Sequence, residues 1–349
     1  MSTGPEAPAW SPRRPLRLPA TVWPLLALAA LLAFNLIWTP GFARVEVRDG
    51  RLFGSLVDIF QNGAPVMLLA VGMTLVIATA GIDLSVGSVM ALGGTVAALL
   101  MVEHGCSVGV AASAAVAAAT LCGLWNGVTV TFVGLQPIIA TLVLLVAGRG
   151  IAQALSGDQK IRFEEPTFEF IGNGAVAGLP FPVYLVATAV VLTFLALRWT
   201  VLGLYIEAIG GNARAARLCG LPVHGVRLFV YAFSGFCAGV AGLVAAADIK
   251  EADVANCGLY LELDAILAVV IGGTSLNGGR PRLIGSLIGA VIMQTLTISL
   301  QMRGVVTEHT LIIKAVVVVL VCLLQSDAAR LFCRTALTRG RGLGYPPRR

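Results

Sequence analysis

Apolar runs, each close to the length of a bilayer-crossing helix, follow one another along almost all of this 349-residue chain, separated by short polar breaks. About 20 apolar residues cross a bilayer as a helix, whereas barrel strands of roughly 10 would alternate polar and apolar positions, and these runs do not alternate. The pattern therefore predicts an all-α polytopic membrane protein. Ten spans are expected, at residues 20–38, 57–79, 86–102, 108–133, 137–155, 183–197, 226–247, 261–275, 283–301 and 311–325. The organisation that follows is a basic tail over residues 1–19, a transmembrane domain over 20–325 with a polar loop at 198–226, and a second basic tail over 326–349. The first apolar run is 19 residues long and is followed by Thr39-Pro40-Gly41, which is too long a run and too poor a cleavage site for a signal peptide.

Composition agrees with the pattern and narrows it. With 57% hydrophobic residues, 12% charged residues and a mean hydropathy of +0.89, the chain over-supplies a soluble core and has too few charges for a solvated surface. The net charge of +6 does not indicate nucleic acid, because the arginines stand at the ends of apolar runs and not in patches interleaved with aromatics. Placing both termini in the cytoplasm puts fifteen of the 24 Lys and Arg on the inner side, the orientation that the positive-inside rule favours. None of the seven cysteines forms a C-x-x-C pair, and most lie in or beside apolar runs, so they read as packing residues. Glycines at helical spacing within the spans, Gly123 and Gly127, Gly235 and Gly239, Gly285 and Gly289, are faces for close helix packing in lipid, where no hydrophobic force draws helices together.

Polar residues inside apolar sequence are the candidates for function. Asp83, in GIDLSVGS, is flanked by apolar sequence on both sides, and an ionised Asp at mid-membrane costs about 2.5 to 3.5 kcal/mol on insertion scales. Either Gly81, Asp83, Ser85 and Gly87 form a broken-helix turn lining a pathway, or Asp83 caps the helix that follows. Asp264, beside Glu262, poses the same choice at the start of the eighth span, where a helix-start acid is an ordinary dipole partner. Asn126, Gln136, Thr141, Gln294 and Lys314 can bond the hydroxyls of a polar solute, or one another across helices. A weak echo links Asp83 and Gly93-Gly94-Thr95 to Asp264 and Gly272-Gly273-Thr274, as expected of two related halves.

The loop is distinctive. Gly210-Gly211-Asn212, then Ala213 to Leu218, Gly220 and Pro222, predicts a short helix with Asn212 as N-cap and Gly220 as its stop. Ala213, Ala216 and Leu218 would form a small apolar face flanked by Arg214 and Arg217, suited to docking in a groove. No phosphate-binding G-x-x-x-x-G-K-[ST] motif is present, and His104, His224 and His309 have no metal-ligand spacing.

Four ordered stretches, GIDLSVGS at 81–88, NGVTVTFVGLQPIIATLVLLVAGRG at 126–150, AIGGNARAARLCGL at 208–221 and LDAILAVVIGGTSLNGG at 263–279, closely resemble the ribose-type branch of bacterial ABC sugar importer permeases, over residues 50–325. Within that branch, residues 49–59 and 246–273 look most like the galactofuranose type, whereas Thr274-Ser275-Leu276-Asn277 is closer to the ribose type. The resemblance implies a type II importer fold of ten spans in two pseudo-symmetric halves, embedded in lipid at the bacterial inner membrane. It further implies a second permease subunit, identical or closely related, a periplasmic sugar-binding protein, and a cytoplasmic ATPase that binds the ATP and magnesium, so that this chain holds no cofactor. Gly210, Gly211, Asn212, Arg214, Ala216, Arg217, Leu218 and Gly220 would couple to that ATPase. Asp83, Ser85, Asn126, Gln136, Thr141, Asp264 and Gln294 would line the sugar's path. The rival from the residues alone is a proton-coupled secondary transporter using Asp83 or Asp264; a lipid-modifying membrane enzyme would need a reactive cluster that is not found.

Overall fold

A computed structural model describes residues 22–325 apart from residue 49; both basic tails and the first two residues of the expected first span lie outside the described residues. All ten expected spans fold as helices: α1 (Val22–Trp38), α2 (Ser55–Ala78), α3 (Val86–Val102), α4 (Val108–Val128), α5 (Pro137–Ser156), α7 (Phe181–Trp199), α9 (Val223–Ile249), α10 (Leu261–Ile271), α11 (Leu283–Met302) and α12 (Thr307–Gln325). Two more were not expected as helices of this extent, the short α6 (Pro166–Asn173) and α8 (Leu202–Leu218), which begins ten residues before the predicted Asn212 cap. Six of the helices are long and apolar enough to cross a membrane by themselves, α4 being counted with the wide π-turn Thr129–Val133 that extends it. The chain is a multi-pass membrane protein.

Helix α2 is the hub. Every residue from Gly63 to Ala78 is buried, as expected of a helix that is apolar all round. It packs against α7, α9, α10 and α11, while α9 also lies against α3, α4 and α6. The crossing of α4 and α9 is as close as helices come, since a Cβ on Gly123 would lie 2.3 Å from the Tyr231 carbonyl oxygen, and one on Gly235 2.4 Å from that of Ala119. Gly285 and Gly289 meet Gly272 and Ala268 of α10 in the same way. The glycine spacing read from the sequence thus marks real helix contacts.

Three two-stranded pieces decorate the end of the bundle where α2 starts and α9 finishes. β1 (Glu46–Arg48) pairs with β2 (Arg51–Phe53), β3 (Ile161–Arg162) with β6 (Glu251–Ala252), and β4 (Ala175–Val176) with β5 (Leu179–Pro180), all antiparallel. The eighth expected span is cut short. α10 stops at Ile271, and Gly273 at φ +87 turns the chain into an irregular stretch up to Leu283. The two stretches that echo one another in sequence have different settings, since Gly93 and Gly94 lie within α3 and Gly272 and Gly273 close α10.

Candidate functional site

A cavity of about 350 Å³ opens between the first turns of α2, the last turns of α9, the 253–258 loop and the middle of α11. Its polar wall is Gln61, Asn62, Asp248, Asp253, Asn256 and Gln294, and its apolar wall includes Val66, Met90, Val244 and Leu261; among the described residues no Lys, Arg or His lines it. Amides, two carboxylates and a greasy face suit a small neutral polyhydroxylated ligand, which offers hydroxyls to the first and ring carbons to the last. Pro65 also stands in this wall, and as a proline inside α2 it has no N–H to give to the Gln61 carbonyl one turn back.

The wall is held from behind. Arg149 of α5 donates to the carbonyl oxygens of Val254 at 2.6 Å, Cys257 at 3.2 Å and Ala255 at 3.4 Å, a guanidinium fork folding the loop around itself. Asp253 accepts from Asn256 at 2.8 Å and pairs with Lys160 at 2.7 Å. Burial works to push the Asp253 carboxyl up, but the bonds from Lys160 and Asn256 outweigh it and hold the group below the usual carboxylate range. The Lys160 ammonium moves the other way, raised by its bonds to Asp253 and Glu251.

Of the seven residues expected on the pathway, Gln294 alone lines this cavity. Asp83, Ser85, Asn126 and Thr141 are brought together elsewhere, in a buried knot where the α2–α3 turn meets α4, α5 and α9. Asp83 Oδ1 accepts from the Ser85 hydroxyl at 2.6 Å, the Ser85 N–H at 3.1 Å and Asn126 Nδ2 at 3.3 Å, and Oδ2 accepts from the Ser234 hydroxyl at 2.9 Å. Asn126 also donates to Ser85 Oγ at 2.8 Å, and Tyr231 and Thr141 each donate to the Ile82 carbonyl at 3.4 Å. Four donors around one carboxylate satisfy a buried acid within the protein. Gln136 is exposed at the N-cap position of α5. Asp264 is paired with Lys314 of α12 at 2.8 Å, with both side chains largely buried. Sequence reasoning missed Gln61, Asn62, Asp248, Asp253 and Asn256; the signal was the amide pair Gln61-Asn62, two polar residues that break an otherwise apolar span.

The predicted short helix is present as the second half of α8. Asn212, at φ −161 and ψ 99, breaks α8 in two, and its Oδ1 accepts from the N–H groups of Arg214 and Ala215, both at 3.0 Å. Gly220, at φ +81, ends it with Gly220 N–H on the Arg217 carbonyl and Leu221 N–H on that of Ala216, a Schellman stop. The expected apolar docking face needs correction. Ala216 is buried and Ala213 half-buried against Val223, Val226 and their neighbours, because the second half of α8 lies along the start of α9. Leu218 is 89% exposed, and Arg214, Ala215 and Arg217 are exposed with it. The Arg217 guanidinium touches His224, whose ring stacks on Phe132 with centroids 5.4 Å apart. Gly210 is buried where a Cβ would lie 1.9 Å from the Ala78 carbonyl oxygen and 2.4 Å from the Gly279 nitrogen, and Gly279 N–H bonds that same oxygen at 2.9 Å.

Residues 55–322 match the family described as branched-chain amino acid transport system / permease component. The chain is 46% identical over 317 residues to the galactofuranose transporter permease protein of Escherichia coli (strain K12), covering 91% of this chain and 93% of the relative. It is 40% identical over 311 residues to the fructose import permease protein of Bifidobacterium longum (strain NCC 2705), covering 87% of each. Identity to the ribose import permease protein of Escherichia coli (strain K12) is 39% over 307 residues, 86% of this chain and 92% of the relative.

Proposed function

The chain belongs to the branched-chain amino acid transport system / permease component family, and from that membership we propose that it is the membrane-spanning subunit of an ATP-driven importer carrying a neutral monosaccharide. The single observation that carries this reading is the near full-length similarity to permeases named for galactofuranose, fructose and ribose. The cavity favours sugar over amino acid, since among the described residues no basic side chain lines it to meet an amino acid's carboxylate. Galactofuranose heads the candidate sugars.

In this reading ten helices span the inner membrane with both termini in the cytoplasm, and two copies, or this chain and a close relative, form the pathway between them. The cavity then faces the periplasm, where a binding protein releases sugar. The exposed tip of α8, with Arg214, Arg217 and Leu218, faces the cytoplasm and docks on the ATPase, which holds the nucleotide and magnesium. Nucleotide-driven closure of two ATPases draws the two α8 tips together. Sugar crosses without covalent change, so this chain's work is to bind weakly, close on one side and open on the other.

The test is uptake of labelled sugar into vesicles containing the chain with its ATPase and binding protein. Uptake that requires ATP and stops when the ATPase is removed is the expected result. Uptake driven by a proton gradient without the ATPase overturns it in favour of a secondary transporter.

A further inference from the structure

Asp248 stands apart from the other charges around the cavity. It lies in the last turn of α9, lines the cavity, and has one side-chain partner, Gln61 Nε2 at 3.4 Å. The nearby cations are engaged elsewhere: Lys250 with Glu169 at 2.6 Å, Lys160 with Asp253 at 2.7 Å, Arg162 with Glu251 at 3.2 Å, and Arg149 with the loop carbonyls behind the wall. The Arg51 guanidinium donates to the Asn173 carbonyl. Among the described residues no cation pairs with Asp248.

Its position is also fixed. Asn173 Nδ2 donates to the carbonyls of Ala247 at 3.0 Å and Asp248 at 2.9 Å, and α6 comes so close that a Cβ on Gly172 would lie 2.3 Å from the Asp248 nitrogen. A short helix thus grips the end of α9 and sets one carboxylate without a cation partner in the wall of a cavity that, among the described residues, no basic side chain lines. A fixed charge in a partly desolvated cleft acts on solutes more strongly than one in bulk water.

We propose that Asp248 is a charge filter of the transport cavity, admitting neutral sugars and rejecting anionic ones such as sugar phosphates and sugar acids. This rests on the sugar-importer reading of the cavity and adds to it a specificity-determining residue. Asparagine at this position is isosteric and keeps the hydrogen bond to Gln61 while removing the charge, so a merely structural role predicts no effect.

The experiment uses the full chain in its assembled complex, with its native cysteines replaced and Asn256→Cys introduced in the cavity wall. Its labelling from outside is timed with a cationic and an anionic methanethiosulfonate of similar size. The cation-to-anion rate ratio is expected to exceed that of a free thiol by roughly fivefold or more, to fall back in Asp248→Asn and to persist in Asp248→Glu. A ratio that ignores Asp248→Asn, or that favours the anion, overturns the filter. The field readout needs no sugar flux, so the two claims fail separately. If uptake is absent while the ratio still depends on Asp248, the sugar reading falls; if uptake is normal while the ratio is indifferent to Asp248, the filter falls.

Discussion

Asp83 is a buried acid whose hydrogen bonds are all made within the protein. Its carboxylate takes four donors from three elements, so replacing it leaves buried hydroxyls without their acceptor. Asp83→Asn is expected to cost about 1.5 to 3 kcal/mol, the range for hydrogen bonds to a charged group, read as a lower melting temperature of the purified protein. An unchanged melting temperature with abolished uptake would instead return Asp83 to the pathway. A few residues earlier the same turn carries strain. Gly81 N–H bonds the Val76 carbonyl and Ala80 N–H that of Ile77, which puts exposed Ala80 at φ +60 in the place where a helix stop usually has glycine. A left-handed alanine costs about 1 kcal/mol, partly offset by the greater freedom of glycine in the unfolded chain. Ala80→Gly is therefore expected to raise the melting temperature slightly, and a fall would show that the Ala80 methyl packing against Gly278 matters more than the strain.

The ends of elements decide what α8 can do. Asn212 caps a helix of barely two turns, and such a helix is marginal by itself; Asn212→Ala is expected to lose about 1 kcal/mol of local stability. The expected outcome is ATP hydrolysis that continues while uptake drops, measured on the same vesicles; equal loss of both would mean that the complex no longer assembles. On the opposite end, the loop network of Lys160, Glu251 and Asp253 sets a pH window. The depressed Asp253 carboxyl contributes stability that is complete above its unfolded value near pH 4 and lost as pH falls through its lower folded value. The raised Lys160 contributes below its unfolded value near pH 10 and loses that contribution as pH rises through its higher folded value. Protection of the backbone amides of residues 250–257 from hydrogen exchange is thus expected to stay constant between about pH 5 and 9, once corrected for the intrinsic pH dependence of exchange. The elements themselves were legible in unequal measure. Each expected span contains a helix, because long apolar runs have few alternatives in a membrane, although the eighth ends early at Ile271, and the Asn212 and Gly220 caps appear because their chemistry is local. The first half of α8 was missed because a short helix punctuated by Gly203, Gly210 and Gly211 and directly following an apolar span reads as loop. The cavity was missed for a related reason: Gln61 and Asn62 lie in the second turn of α2 and Asp248 in the last turn of α9, where polar residues are ordinary, and only the fold shows that α2, α9 and α11 turn them toward one another.

At the scale of the molecule, the two ends are built differently. The end holding the cavity is lined with amides and acids and braced by Arg149 from behind, while at the end holding α8 backbone packs on backbone. Gly210, the Ala78 carbonyl and the 278–279 turn meet there, with the Ala80 methyl beside Gly278. That contact lies two residues from the Asn212 break, so in the importer reading proposed above it serves as the inner seal, and a pull on the exposed tip of α8 reaches it through two residues of backbone. Gly210→Ala would insert a methyl where 1.9 Å separates it from the Ala78 oxygen, an overpacking strain on the order of 1 to 3 kcal/mol on this contact. The expected result is a complex that leaks sugar from preloaded vesicles without nucleotide and hydrolyses ATP with less uptake per turnover. Gly225→Ala, at a glycine of α9 with nothing within 4 Å of its added Cβ, is expected to do neither. If both variants hold sugar equally well, the seal lies elsewhere, and the closeness of Gly210 to Ala78 is packing without a part in transport.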